Sequence, residues 1–152
     1  MADIFNPDFK DFVNSLNNAN VRYILIGGYS VIIHGYSRTT GDLDLWVEPT
    51  EENYSRLQRA FQIFGLPTYA IAKERFLDTD KYDVYTFGKP PSCIEILTKV
   101  KGLEFEETYA AAFDYEDGDF RIRVIHFNHL IQAKEAAGRN QDLNDIEKLK
   151  GK

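Results

Sequence analysis

Ile26-Gly27-Gly28-Tyr29-Ser30 and, a short way on, Arg38-Thr39-Thr40-Gly41-Asp42-Leu43-Asp44-Leu45 decide how this chain is read. The glycines stop a β-rich run, Val21-Arg22-Tyr23-Ile24-Leu25-Ile26, and a short apolar run ended by a turn signal predicts a buried strand. Residues 29–34 then supply one or two helical turns before Gly35. Residues 42–47 alternate acidic with apolar, the pattern of a second strand with one wet face. On such a strand Asp42 and Asp44 are two apart, so both carboxylates project from one face while Leu43 and Leu45 point into the core.

The flanking sequence surrounds these two strands with helices. Asn6-Pro7 is an N-cap followed by a proline at the first helical position, and Phe9, Phe12, Val13 and Leu16 follow at helical spacing up to Asn17. Thr50, with Glu51 and Glu52 behind it, opens a helix through Leu57, Phe61 and Phe64 that Gly65 closes. Residues 69–80 carry no single pattern. Residues 82–87 and 92–97 read as a strand pair joined through Gly88-Lys89-Pro90-Pro91, and 105–113 as a helix. Asp117-Gly118-Asp119 is a turn into a strand over 120–125. Asn128 and Asn140 are expected to cap helices running to 137 and 150. The resulting order, α, β, α, β, α, β, β, α, β, α, α, predicts an α/β (α+β) fold, a mixed central sheet flanked by helices.

A length of 152 residues suits one domain, 1–152, with a core of its own. One cysteine, Cys93, rules out an internal disulfide and a multi-cysteine zinc site, which leaves it as core filler. The first eight residues have neither a basic nor an apolar leader region, and no stretch reaches the ~18 apolar residues of a membrane span. A cytoplasmic protein without membrane contact is expected. The net charge of −6 argues against a protein whose affinity comes from neutralising nucleic-acid phosphates.

Two carboxylates on one strand face repel by roughly 1 to 4 kcal/mol, and a hard divalent cation, Mg2+ or Mn2+, reverses that penalty. Glu95, between Ile94 and Ile96 on a predicted inner strand, offers a third carboxylate. Beside the aspartates it would join the metal set and could deprotonate or orient an attacking hydroxyl. Gly27 and Gly28 end a strand and open a helix, where bare backbone N–H groups bind phosphate, with the Ser30 hydroxyl in the same turn. Arg38 and Thr39 add a guanidinium fork and a hydroxyl just before the acidic pair.

In combination these residues resemble the nucleotidyltransferases of the DNA polymerase β superfamily: an apolar-Gly-Gly or Gly-Ser turn, then two acids spaced by one apolar residue, then a third acid on a later strand, here Glu95. The tail, with Lys134, Gly138-Arg139 and Asp142-Leu143-Asn144-Asp145-Ile146, is similar to the closing segment of small bacterial nucleotidyltransferases related to AbiEii-type toxins. The resemblance implies an Mg-dependent enzyme that moves a nucleoside monophosphate from an NTP to a hydroxyl, releasing pyrophosphate. It implies that Lys134 contacts the triphosphate with Arg139 beside it and that Asp142 supports the site. Read without it, Arg139, Asp142 and Asp145 are solvated helix faces. This chain departs from the pattern at Gly28, where many members have serine. Many also carry a second helical domain for the acceptor, whether small molecule, protein or RNA end. Here the resemblance leaves that task to a homodimer, an antitoxin-like protein partner or an exposed cleft. Two other readings compete: a non-catalytic nucleotide-binding or toxin-antitoxin module, and a metal-dependent glycosyltransferase.

Overall fold

The computed structural model describes residues 4–89 and 92–151. Helix α1 (Pro7–Asn18) starts as its capping pair predicts, the Asn6 side chain accepting a hydrogen bond from the Phe9 N–H at 2.8 Å. The strand expected from Val21 is shorter: β1 (Tyr23–Ile26). The residues before it turn the chain, Asn20 at φ 59 and the Val21 N–H bonded back to the Leu16 carbonyl at 3.0 Å. Helix α2 (Gly27–Ile33) begins at the first glycine itself, and β2 (Leu43–Val47) leaves Asp42 just outside the ladder. Helix α3 (Glu51–Phe64) runs from the Thr50 cap to a left-handed Gly65, as expected.

The patternless stretch forms a 3-10 turn (Thr68–Ala70) and α4 (Lys73–Leu77), too short to show a helical period. Strands β3 (Val84–Lys89) and β4 (Ser92–Leu97) pair antiparallel, and the expected link through Pro90 and Pro91 lies outside the described residues. The helix expected over 105–113 ends early. After α5 (Phe105–Ala111), Phe113 enters β5 (Phe113–Asp117), which forms a hairpin with β6 (Phe120–Val124). Phe113 and Tyr115 alternate with Asp114 and Glu116 along it, but no residue of β5 is fully buried. Two caps also move. His126 caps α6 (Phe127–Ala137), its ring nitrogen accepting from the Asn128 N–H, and Arg139 precedes α7 (Asn140–Lys150).

The sheet order is β3-β4-β2-β1-β6-β5, parallel at β4/β2 and β1/β6 and antiparallel elsewhere. One face packs Leu25, Leu43, Leu45, Val47, Ile96 and Val124 under α1, α3 and α4. The other packs Ile24 and Trp46 under α5, α6 and α7. The mixed, two-sided sheet is therefore as the element order implies. Side chains alternate along β2, so Asp44 emerges on the Trp46 face, at the end of the strand where α6 and α7 close over it. Among the described residues, no helix is long and apolar enough to cross a membrane.

Candidate active site

Register places the acids. Asp44 stands opposite Ile26 of β1 on one side and Glu95 of β4 on the other, so two carboxylates on neighbouring strands face each other. Burial pushes the Asp44 carboxyl up to about 8, helped by the hydrogen-bonding reach and charge of Glu95 and by the charge of Asp42, with Lys134 opposing. Asp44 Oδ1 is buried without a hydrogen-bond partner. Asp42 lies one turn of the pleat away, its Oδ1 accepting the Cys93 N–H at 3.4 Å.

The glycines are explained by what lies against them. Gly27 has φ +73, and a Cβ there would sit 2.0 Å from Asp44 Oδ2; one on Gly28 would sit 2.3 Å from Thr40 Oγ1. No side chain caps α2, which leaves first-turn amides at the wall of the cleft free for an anion. Ser30 is fully buried and donates to the Gly27 carbonyl at 2.6 Å, so its hydroxyl is engaged in the turn instead of facing the cleft. Thr39 is exposed, and its neighbour Thr40 lines the cleft instead. Gly27→Ala is expected to cost about 1–2 kcal/mol in backbone strain alone. It also displaces Asp44, for an activity loss of about 10²-fold, read by denaturant unfolding and initial rates.

Opposite the acids stands a basic wall held by buried aspartates. Lys134 Nζ lies 2.9 Å from Asp145 and 3.3 Å from Asp142. Arg38 places Nε and Nη2 at 3.0 and 3.1 Å from the two oxygens of Asp145. Arg139 Nε donates to Asp142 at 2.6 Å, yet most of the Arg139 side chain stays in solvent. Asp142 and Asp145 are 2% and 0% exposed, which overturns the solvated-face reading for both. Burial alone would raise the Asp142 carboxyl, but the Arg139 hydrogen bond and the Lys134 charge hold it below its ordinary value.

The two walls enclose a cleft of two chambers. One, of about 260 Å³, is lined by Asp44, Glu95, Lys99, Lys101, Lys134 and Arg139. The other, of about 360 Å³, is lined by Gly28, Arg38, Thr40 and Asp42, and it shares Gly27, Asp44, Lys134 and Arg139 with the first. Asp44 is thus common to both, whereas Asp42 and Glu95 each face one. Among the described residues, no three His, Cys, Asp or Glu side chains converge closely enough to cage a metal. The carboxylates present are nevertheless hard oxygen donors, and the orphaned Asp44 Oδ1 is of the type that would suit a divalent cation. Lys99, Lys101 and Asp145 were not legible as site residues; the one signal for the lysines is their place just past the carboxyl end of an inner strand.

A crystal structure of a "putative nucleotidyltransferase" from Thermotoga maritima is similar, with a TM-score of 0.58 and 16% identity over 92% of this chain and 88% of that one. At that identity the likeness establishes a shared fold, the mixed-sheet nucleotidyltransferase type. No protein-family model matches the chain, and no curated protein matches it in sequence.

Proposed function

We propose that this protein is a nucleotidyltransferase that transfers a nucleoside monophosphate from an NTP to a hydroxyl acceptor. The observation that carries the reading is Asp44, half-buried beside Glu95 and facing Lys134 and Arg139 across one cleft: acids for the reacting centre, cations for a triphosphate. Arg139 and Lys134 bind the phosphates, joined by the Gly27-Gly28 amides and by Arg38. Asp42 and Asp44, which line one chamber together, would hold Mg2+ or Mn2+, which when bound neutralises charge developing on the phosphates, and Glu95 stands beside them as the base. Glu95 takes the proton of the acceptor hydroxyl as its oxygen forms a bond to the α-phosphorus. The bond from that phosphorus to the bridging oxygen breaks, and the electron pair leaves with pyrophosphate.

Calorimetry with ATP, GTP, CTP and UTP plus magnesium, followed by transfer from labelled NTP to candidate acceptors, tests the reading. Saturable binding and transfer that disappears in the Asp42→Asn/Asp44→Asn double variant are expected. Undiminished transfer by that variant sinks the assignment. Binding without transfer to any acceptor moves the chain to the non-catalytic nucleotide-binding reading, and no binding to any of the four NTPs moves it to the toxin-antitoxin-type interaction module.

A further inference from the structure

The opposite end of β1 carries a second site of different character. Arg22 just before β1, Arg56 on α3, and Arg121 and Arg123 on β6 line one cavity of about 230 Å³ with Asn20 and Tyr109. No acidic residue is among those lining it, in a chain whose net charge is −6. The carboxylates that hold these arginines do so from outside: Glu48 and Glu106 on Arg22 at 3.2 and 2.9 Å, and Glu52 on Arg56. Asp114 is shared, 3.4 Å from Arg123 and 4.0 Å from Arg121, so two cations divide one anion. The Arg22 and Arg123 guanidiniums also lie over the Tyr109 ring, 4.6 and 4.7 Å from its centre, which fixes their planes. Arg123 Nε is buried and has no hydrogen-bond partner.

We propose that this cavity binds a compact oxyanion of the phosphate class. Guanidinium forks match the oxygens of a tetrahedral phosphate pairwise, and here two of them, on Arg22 and Arg123, are oriented before any ligand arrives. Cavities that take whole drug-sized molecules run from roughly 300 to 1,000 Å³. This one is smaller, which suits orthophosphate, pyrophosphate or the phosphate of a small ester and excludes an enclosed nucleoside. The half-exposed Arg56 and Arg121 form its rim, and Arg22 and Arg123 its floor. The site stands independently of nucleotidyl transfer.

The test follows the arginine Nε–Hε resonances of the full-length protein by NMR during titration with orthophosphate, pyrophosphate or ribose 5-phosphate, each against chloride at equal ionic strength. Saturable shifts at Arg22 and Arg123 are expected. The Arg56→Gln/Arg121→Gln variant should weaken binding at least about tenfold, and Arg139→Gln, in the main cleft, should leave it unchanged. Orthophosphate binding as well as ribose 5-phosphate marks a free-anion site; a clear preference for the ester marks a phosphomonoester site, and either supports the assignment. Shifts that follow ionic strength alone overturn it, as does binding retained by the rim variant but lost in Arg139→Gln. Much tighter binding of a single-stranded RNA oligonucleotide than of ribose 5-phosphate would also overturn it, by making the arginines a polynucleotide track.

Discussion

Asp44→Asn is expected to reduce nucleotidyl transfer about 10³-fold while raising the melting temperature of the metal-free protein near pH 8. Loss of activity together with gain of stability separates a functional acid from a structural one. In the unfolded chain an aspartate titrates near ~3.9. In the fold, burial first and then Glu95 and Asp42 push Asp44 to about 8. Between those values the native state keeps a proton that the unfolded chain has released, so stability is greatest at the acid end and falls as pH rises. The fall is on the order of a few kcal/mol at most. Asparagine removes the charge and flattens that part of the profile. Melting curves from pH 4 to 9 in EDTA, and again with magnesium, read the effect. Magnesium should restore the wild type at high pH and leave the variant unmoved. An unchanged pH slope in Asp44→Asn would show that the destabilising charge lies elsewhere.

Asp44 and the glycine turn were legible because their chemistry is local. Spacing along one strand sets the face of Asp44, and the positive φ of Gly27 follows from the chain turning straight from β1 into α2. Glu95 was legible as an acid between apolar residues, but its pairing with Asp44 depends on the parallel β2/β4 ladder, a non-local register that no periodicity encodes. The expected roles of Ser30 and Thr39 went one residue astray or inward for the same reason. Which hydroxyl reaches the cleft depends on how the 38–42 segment crosses Gly28, and it is Thr40 that lies there. β5 was hidden although Phe113 and Tyr115 alternate with Asp114 and Glu116, because the helix expected over 105–113 absorbed its first residue and two pairs are too few to set a period. Asp145 shows the limit most clearly. At helical spacing it looks like a surface charge, and only the docking of α7 brings it to Arg38, 107 residues earlier in the chain.

Asp145→Ala is expected to destabilise the protein by about 3–5 kcal/mol, because it strands charges that the fold has taken out of water. The carboxylate is fully buried and holds two cations at once, Arg38 and Lys134, while Gln141 donates to it at 2.8 Å. Removing it leaves Lys134, 7% exposed, with Asp142 alone at 3.3 Å, and Arg38 with only the Thr39 carbonyl. Asp145→Asn keeps the shape without the charge and should lose less. An Asp145→Leu/Lys134→Met pair removes both charges of the tighter contact and should recover the share of the loss that came from stranding Lys134, since apolar isosteres often match a buried pair, while Arg38 stays without its carboxylate. Its nucleotide affinity should not recover, because Lys134 is then absent from the wall proposed to bind the triphosphate. Denaturant midpoints for the three variants, with NTP titrations alongside, separate these effects. A loss below about 1 kcal/mol in Asp145→Ala would mean that the network adds nothing net to the fold. The double variant carries the sharper consequence: a folded protein that no longer binds NTP would show that the charges buried under α7 serve the ligand, a task that apolar packing cannot perform however well it fills the same space.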